Sequence, residues 1–429
     1  MSAIITILLF FVFLALAIPV AVSLGIVSVL PGMLDDSFTA SATYVIRSMV
    51  GGIDSFPLLA VPMFVLAGVL MSHGKISVKL FDVFSYFLGK RTAGIPIAVI
   101  FTCLFYGAIS GSGPATVAAV GGMTIPLLVE LGYEKDFSTA IVAVAGGLGV
   151  IIPPSIPFIM YGLASGESVS QLFIAGIIPG IIIALLLTGF AYVYCKRNGE
   201  DKQKIDRKIE VLHKKGFWKV FADSFWAILS PIIILGAIYS GVASPTEAAV
   251  ISVFYSLVVS LFIYKTIHIS QLWSFFGEAM RTYAPILFIL TASMAFSRVI
   301  TLMQVPQIVS DWMLGNFTNA IILLLVINLF LLLVGMVMDT TPAILILTPI
   351  LLPITTAIGL HPIHFGVMMV VNLAIGFVTP PIGVNLFVAS SLTKISVIQI
   401  ARKAIGMIAL FLFALLLITF VPAISLMLL

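Results

Sequence analysis

The stretch GGLGVIIPPS, residues 146–155, lies inside a long apolar run, yet most of its residues argue against an unbroken helix. Glycine costs about 1 kcal/mol and proline about 3 kcal/mol relative to alanine in a helix interior. Consecutive prolines also remove two amide donors and push the preceding residue out of the helical region. Hydrocarbon offers a freed carbonyl no water. A break of this kind survives at membrane depth only where protein or a wet cavity satisfies the backbone, which is also where ions are held in many transporters. A second such stretch, GFVTPPIGVN, spans residues 376–385.

Composition places both breaks in a membrane protein. The chain has 429 residues, 61% hydrophobic and 9% charged, against roughly 25% charged in soluble domains. Mean hydropathy is +1.24 and the pI is about 9.0. The net charge of +4 reports topology and needs no anionic polymer, and no nucleic-acid partner is expected. Cys103 and Cys195 are too few for a disulfide framework and read as core residues. The N-terminus lacks a basic n-region and a cleavage site, so it reads as a first spanning segment.

Taken in order, residues 2–30 form a first span, followed by a polar piece with Asp35, Asp36 and Asp54, and a span from Phe56 to Met71. Lys75–Arg91 is basic and amphipathic, the pattern of a helix lying on the membrane surface. Ile95–Leu131 is apolar but interrupted at Ser110–Pro114 (SGSGP), leaving two arms too short to cross about 30 Å at 1.5 Å per residue. A re-entrant hairpin with its tip there is expected. A discontinuous helix over 137–165 and a span from Gln171 to Cys195 follow.

Lys196–Lys219 holds nine of the 21 Lys and Arg residues and reads as a soluble cytoplasmic loop by the positive-inside rule. Further spans are expected at Ser224–Gly241, Glu247–Tyr264 and Tyr283–Met303, with an amphipathic piece at Ile269–Arg281 and a shorter one at Gln307–Leu314. Glu247, after Ser-Pro-Thr, should cap its helix. Asn319–Ile358 repeats the hairpin form with its tip at MDTTP, Met338–Pro342. Residues 365–392 are broken like 137–165, and a last span runs from Ala404 to Met427. Nine spans and two hairpins, counted from a cytoplasmic N-terminus, leave only Arg47 and Arg298 of the basic residues away from the cytoplasmic side.

The two broken regions share a register. A shift of 227 matches Pro126 with Pro353, Gly132 with Gly359, Gly149 with Gly376, Pro153 with Pro380 and Pro154 with Pro381; Pro114 matches Pro342 with one residue deleted. The topology makes the halves inverted, an architecture that places ion and substrate sites between the repeats. The expected fold is an all-α polytopic membrane protein with inverted repeats, two hairpins and two discontinuous helices. Its parts are scaffold and arm (1–91), a first transport half (92–195), a cytoplasmic loop (196–223), further scaffold and a second arm (224–318), and a second transport half (319–429).

Hard cations such as sodium take oxygen ligands, and half-helix ends supply carbonyls. Ser110, Gly111, Ser112 and Thr116 at the first tip, facing Gly146 and Gly149, form one candidate sodium cage. Asp339, Thr340 and Thr341 at the second tip, facing Gly376 and Thr379, form another. Asp339 also suits capping of the second arm. Helix N-termini after Pro154 and Pro381, with Ser155 and Asn385, are candidates for holding an anionic group, as is Arg298, which also suits snorkelling to the interface. His361 and His364 are a weak metal signal, so sodium is the only metal expected and no cofactor is. HExxH, GxSxG and Walker motifs are absent, which removes the sequence basis for zinc proteolysis, serine hydrolysis and ATP hydrolysis.

Four motifs, residues 110–128 (SGSGPATVAAVGGMTIPLL), 146–162 (GGLGVIIPPSIPFIMYG), 335–353 (GMVMDTTPAILILTPILLP) and 376–391 (GFVTPPIGVNLFVASS), resemble the large membrane subunit of TRAP transporters, the DctM-like family. The resemblance covers essentially the whole chain. It implies sodium-coupled uptake of a carboxylated solute, a sialic acid or C4-dicarboxylate, across a bacterial inner membrane by an elevator mechanism. It also implies a small four-helix membrane subunit (DctQ-like), expected here as a separate protein, and a periplasmic binding protein (DctP-like) that delivers the solute. Two alternatives are a stand-alone sodium/carboxylate symporter of the wider ion-transporter class and a membrane enzyme using Asp339 with His361 or His364; an enzyme is not the expectation.

Overall fold

A computed structural model describes residues 3–16, 18–34, 38–317 and 319–429. Asp35 and Asp36 lie outside them. The expected first span is two helices, α1 (Ala3–Ala15) and α2 (Val20–Leu34). Pro19 stands at the start of the second, where its missing N–H costs least. Within the polar piece before Asp54, Ser41 accepts from the Tyr44 amide and caps α3 (Ala42–Ile53). α4 (Ala60–His73) is the next apolar helix.

α5 (Ile76–Leu88) is the expected amphipathic arm, but its apolar face is covered by protein. Ile76, Leu80, Phe81 and Val83 are buried. The chain then folds back on itself in α6 (Gly94–Ser110) and α7 (Gly113–Glu130), and both arms adjoin α5. The first broken region consists of α8 (Lys135–Ala145), a 3-10 turn over Gly146–Val150 and α9 (Ile156–Ser165). α10 (Val169–Asn198) is a full-length helix.

The supposed soluble loop is largely helical, forming α11 (Lys202–Lys214) and the start of α12 (Phe217–Tyr239). Ile205, Ile209 and Leu212 are buried in contact with the α5 arm. Their spacing of four and three is a helical stripe, hidden in the sequence by the surrounding charges. α13 (Pro245–Val258) opens with the expected capping box between Ser244 and Glu247. The amphipathic piece and the following span are one 31-residue helix, α14 (Leu272–Leu302), because its only breaker, Pro285, is tolerated inside it.

α15 (Val305–Asn316) leads to α16 (Ala320–Gly335) and α17 (Thr340–Ala357), the arms of the second fold-back. The second broken region is α18 (Pro362–Gly376), a turn, and α19 (Val384–Thr393). α20 (Val397–Phe420) starts seven residues earlier than the expected Ala404, and α21 (Ala423–Leu426) ends the chain. Among the described residues, eight helices are long and apolar enough to cross a membrane, α7 and α17 included.

Contacts between the halves are reciprocal. α7 packs on α19 and α17 on α9; α10 packs on α18 and α20 on α8. Each fold-back also meets its own break through glycine. A Cβ on Gly107 would lie 2.6 Å from Gly149 Cα, and one on Gly376 would overlap the Gly335 backbone. Gly107 and Gly335 are 228 apart and Gly149 and Gly376 are 227 apart, so the two junctions correspond once the one-residue deletion that matches Pro114 with Pro342 is applied.

Close backbone contact makes these glycines intolerant of a methyl group. Gly107→Ala and Gly376→Ala should each destabilise the protein by about 1–3 kcal/mol through overpacking. Gly189→Ala, with open space around the added carbon, should leave stability unchanged or raise it slightly. Thermal unfolding of the purified variants in detergent decides, and equal midpoints for all three would remove the constraint.

Candidate functional site: two fold-back tips against two helix breaks

At the first tip, Gly111 has φ +61°, a turn that favours glycine, and Ser112 caps α7. Three oxygens gather here. Thr116 Oγ1 donates to the Ser112 carbonyl at 2.8 Å, Ser110 Oγ lies 3.1 Å from Thr116 Oγ1, and Ser110 Oγ is 3.3 Å from the same carbonyl. Gly149 lies flush against this triangle. A Cβ there would be 2.5 Å from Thr116 Oγ1 and 2.8 Å from the Ser112 oxygen. The Ile156 amide donates to the Gly111 carbonyl at 3.3 Å, tying the tip to the half-helix after the break. Ser110, Gly111, Thr116, Gly146 and Gly149 are all buried. The sequence-selected residues of the first cage are therefore brought together.

The second tip shares the plan but not the chemistry. The Ile382 amide donates to the Met336 carbonyl at 3.2 Å. Asp339 holds the N-cap position of α17 without a side-chain capping bond. It is exposed, as is Pro381, whereas Thr340 and Thr341 are buried. Thr379 spends its proton on the Ile375 carbonyl at 2.8 Å. The Pro153–Pro154 and Pro380–Pro381 bonds are both cis.

Ser155 is fully buried. Its hydroxyl donates to the Val150 carbonyl at 2.5 Å and accepts from the Phe158 amide, capping α9. Arg298 is exposed on α14 with its guanidinium towards Gly51 of α3, and it joins neither break. Asn385 is fully buried and donates to the Ala143 carbonyl at 3.1 Å, so it faces the first break and not its own. His361 caps α18 and His364 faces the Thr419 carbonyl, so the pair serves helix ends. Cys103 and Cys195 are free and buried, as expected.

Two polar features escaped the sequence reading. Asn372 donates to Asn328 Oδ1 at 2.8 Å, and Asn328 donates to Thr419 at 3.2 Å, linking α18, α16 and α20 one turn before Gly376. Single amides in apolar runs were the available signal. Glu200 has a side chain only 2% exposed. It accepts from the Ala93 amide at 3.1 Å and from Tyr133 Oη at 2.5 Å, clasping both ends of the first fold-back, and pairs with Lys202 at 3.0 Å. Among so many charges, nothing in sequence marks it.

With this geometry in hand, the fold can be compared with solved structures. It matches the YdaH transporter of Alcanivorax borkumensis with a TM-score of 0.66 at 14% identity, covering 96% of this chain and 97% of that one. MtrF of Neisseria gonorrhoeae, from a class of antimetabolite efflux pumps, matches at 0.59 and 13%, over 88% and 82%. These likenesses show a shared all-helical fold.

The sequence defines the family. Residues 7–424 match the Tripartite ATP-independent periplasmic transporter, DctM component. The chain belongs to this family of large TRAP permeases, which are transporter components and not enzymes. It is 43% identical to the isethionate TRAP permease DctMQ of Oleidesulfovibrio alaskensis over 97% of this chain, which spans 64% of that protein's length. The C4-dicarboxylate large permease DctM of Pseudomonas aeruginosa is 38% identical over 87% of this chain and 86% of its own. The 2,3-diketo-L-gulonate large permease YiaN of Escherichia coli is 36% identical over 81% of each.

Removing Glu200 leaves a buried amide and a phenol without their acceptor, at a cost of about 1–3 kcal/mol per group. Glu200→Ala should therefore loosen the base of the first fold-back locally. Hydrogen exchange should accelerate for amides around Ala93 and Tyr133 while those of α16 and α18 stay protected. Uniform protection in both regions would show that the clasp carries no such load.

Proposed function

We propose that this chain is the membrane permease of a sodium-coupled TRAP system in a bacterial inner membrane, with its N-terminus in the cytoplasm. The observation that carries the reading is the oxygen triangle of Ser110, Ser112 and Thr116 held flush against Gly149. Three oxygens at such spacing, with a broken helix beside them, suit a small hard cation. Asp339, Thr340 and Thr341, with Gly376 and Thr379, supply the second sodium site, in which a carboxylate takes the place of the extra hydroxyls.

The halves 92–195 and 319–429 move as an inverted-repeat elevator against a scaffold of 1–91 and 224–318, with α6–α7 and α16–α17 as re-entrant hairpins. The reciprocal packing of each second arm on the other half's broken helix supports one moving body. The solute is a small organic anion bound near Pro154 and Pro381. The relatives named above carry isethionate, C4-dicarboxylates and diketogulonate, which favours a compact anion over a sialic acid. A DctQ-like small subunit completes the scaffold, and a DctP-like binding protein brings the solute.

Reconstitution into liposomes with both partners tests the whole reading. Radiolabelled C4-dicarboxylate or isethionate should accumulate at least about tenfold faster under an inward sodium gradient than under potassium. Equal uptake in the two salts would defeat sodium coupling, and full uptake by this chain alone would defeat the three-part system.

A further inference from the structure

Asn385 belongs by sequence to the second half, yet its side chain ends in the first. It stands one residue inside α19, which crosses α7. Its Nδ2 donates to the Ala143 carbonyl at 3.1 Å, which fixes the amide's orientation, because the flipped amide would set two oxygens face to face. Oδ1 is thereby aimed at the space beside Gly113. It lies 3.2 Å from the point that a Cβ on Gly113 would occupy, and the Gly146 carbonyl oxygen lies 3.3 Å from that same point. The Phe377 ring forms a third wall at 3.2 Å.

Asn385 has no solvent exposure, and its Oδ1 has no hydrogen-bond donor among the described residues. A buried amide oxygen that shares the gap beside Gly113 with a carbonyl oxygen needs a donor or a cation. A methyl group at 113 would press against both oxygens. The gap is also one residue from Ser112, whose carbonyl is a corner of the oxygen triangle.

We propose that the amide oxygen of Asn385 is a ligand of the first cation site, so that the ion site of one half is completed by a residue from the break of the other. The proposal rests on the sodium-coupled reading above and adds a coupling to it. Any shift of the second break carries α19, and with it a ligand of the first site. Ion occupancy at one break then depends on the conformation of the other.

Sodium itself is the probe. The purified full chain is unfolded thermally in a sodium chloride titration, with potassium chloride holding ionic strength constant. The wild-type protein should be stabilised specifically by sodium. Asn385→Ala should raise the sodium concentration for half-maximal stabilisation about tenfold or more. Gly113→Ala, which fills the gap while leaving Asn385 intact, should weaken sodium binding as Asn385→Ala does. Should Asn385→Ala fail to fold, Asn385→Ser and Gly113→Ala give the same reading.

A half-maximal concentration unchanged in Asn385→Ala and Gly113→Ala, while Thr116→Val loses its sodium response, would overturn the ligand role and leave the sodium reading standing. A loss of stability in Asn385→Ala that is equal in sodium and potassium, with the half-maximal sodium concentration unchanged, would leave the residue only its bond to the Ala143 carbonyl and also overturn it. No sodium-specific stabilisation of the wild type would remove the sodium reading and this proposal together.

Discussion

Backbone touching backbone through paired glycines is the constraint on which the rest depends. Gly107 against Gly149 and Gly335 against Gly376 allow no side chain between a fold-back and its break. In hydrocarbon, a broken helix would expose carbonyls and amides with nothing to bond. The tip, pressed close, supplies the partners: Gly111 accepts from Ile156, and Met336 accepts from Ile382. The same closeness brings Thr116 and the Ser112 carbonyl against Gly149. The feature that rescues the backbone is thus also the one that assembles oxygen ligands, and the site costs the fold little beyond what the break already required.

From that shared junction the halves diverge. The first tip and break are buried, with hydroxyls satisfied by one another and by a carbonyl. The second leaves Asp339 and Pro381 exposed, so a carboxyl group sits at an accessible position. Identical glycine registers with different polar residues separate what the architecture needs from what each site binds. Beneath the second break, Asn372 and Asn328 add a hydrogen-bonded tie among α16, α18 and α20 that the first half lacks; the positions in register with them, Ala145 and Ile100, are apolar.

Much of this was legible in sequence because glycine and proline act locally. Residues 146–155 and 376–385 announce their breaks, and the offset of 227 pairs them without coordinates. The residues of the first cage lie together because a tip and a break of fixed register leave them few other places. What the sequence left open was which face a side chain turns to. Ser155 and Asn385 both follow a proline pair, but one caps its own helix while the other reaches into the opposite half, a choice made by the packing of α19 on α7. Arg298 looked central only because no other basic residue falls inside a span. The helix α11 was missed because three buried apolar residues among its five Lys and Arg residues barely change composition, though they change the fold.

α11 has a further mechanical meaning. It begins just past Gly199, at φ +76°, and ends just before Gly216, at φ +81°. Glu200 fastens its near end to the base of the first fold-back, and its apolar stripe lies along α5. Thirteen helical residues make a strut about 20 Å long. As a rigid rod, α11 sets the distance between the base of the first fold-back and the start of α12.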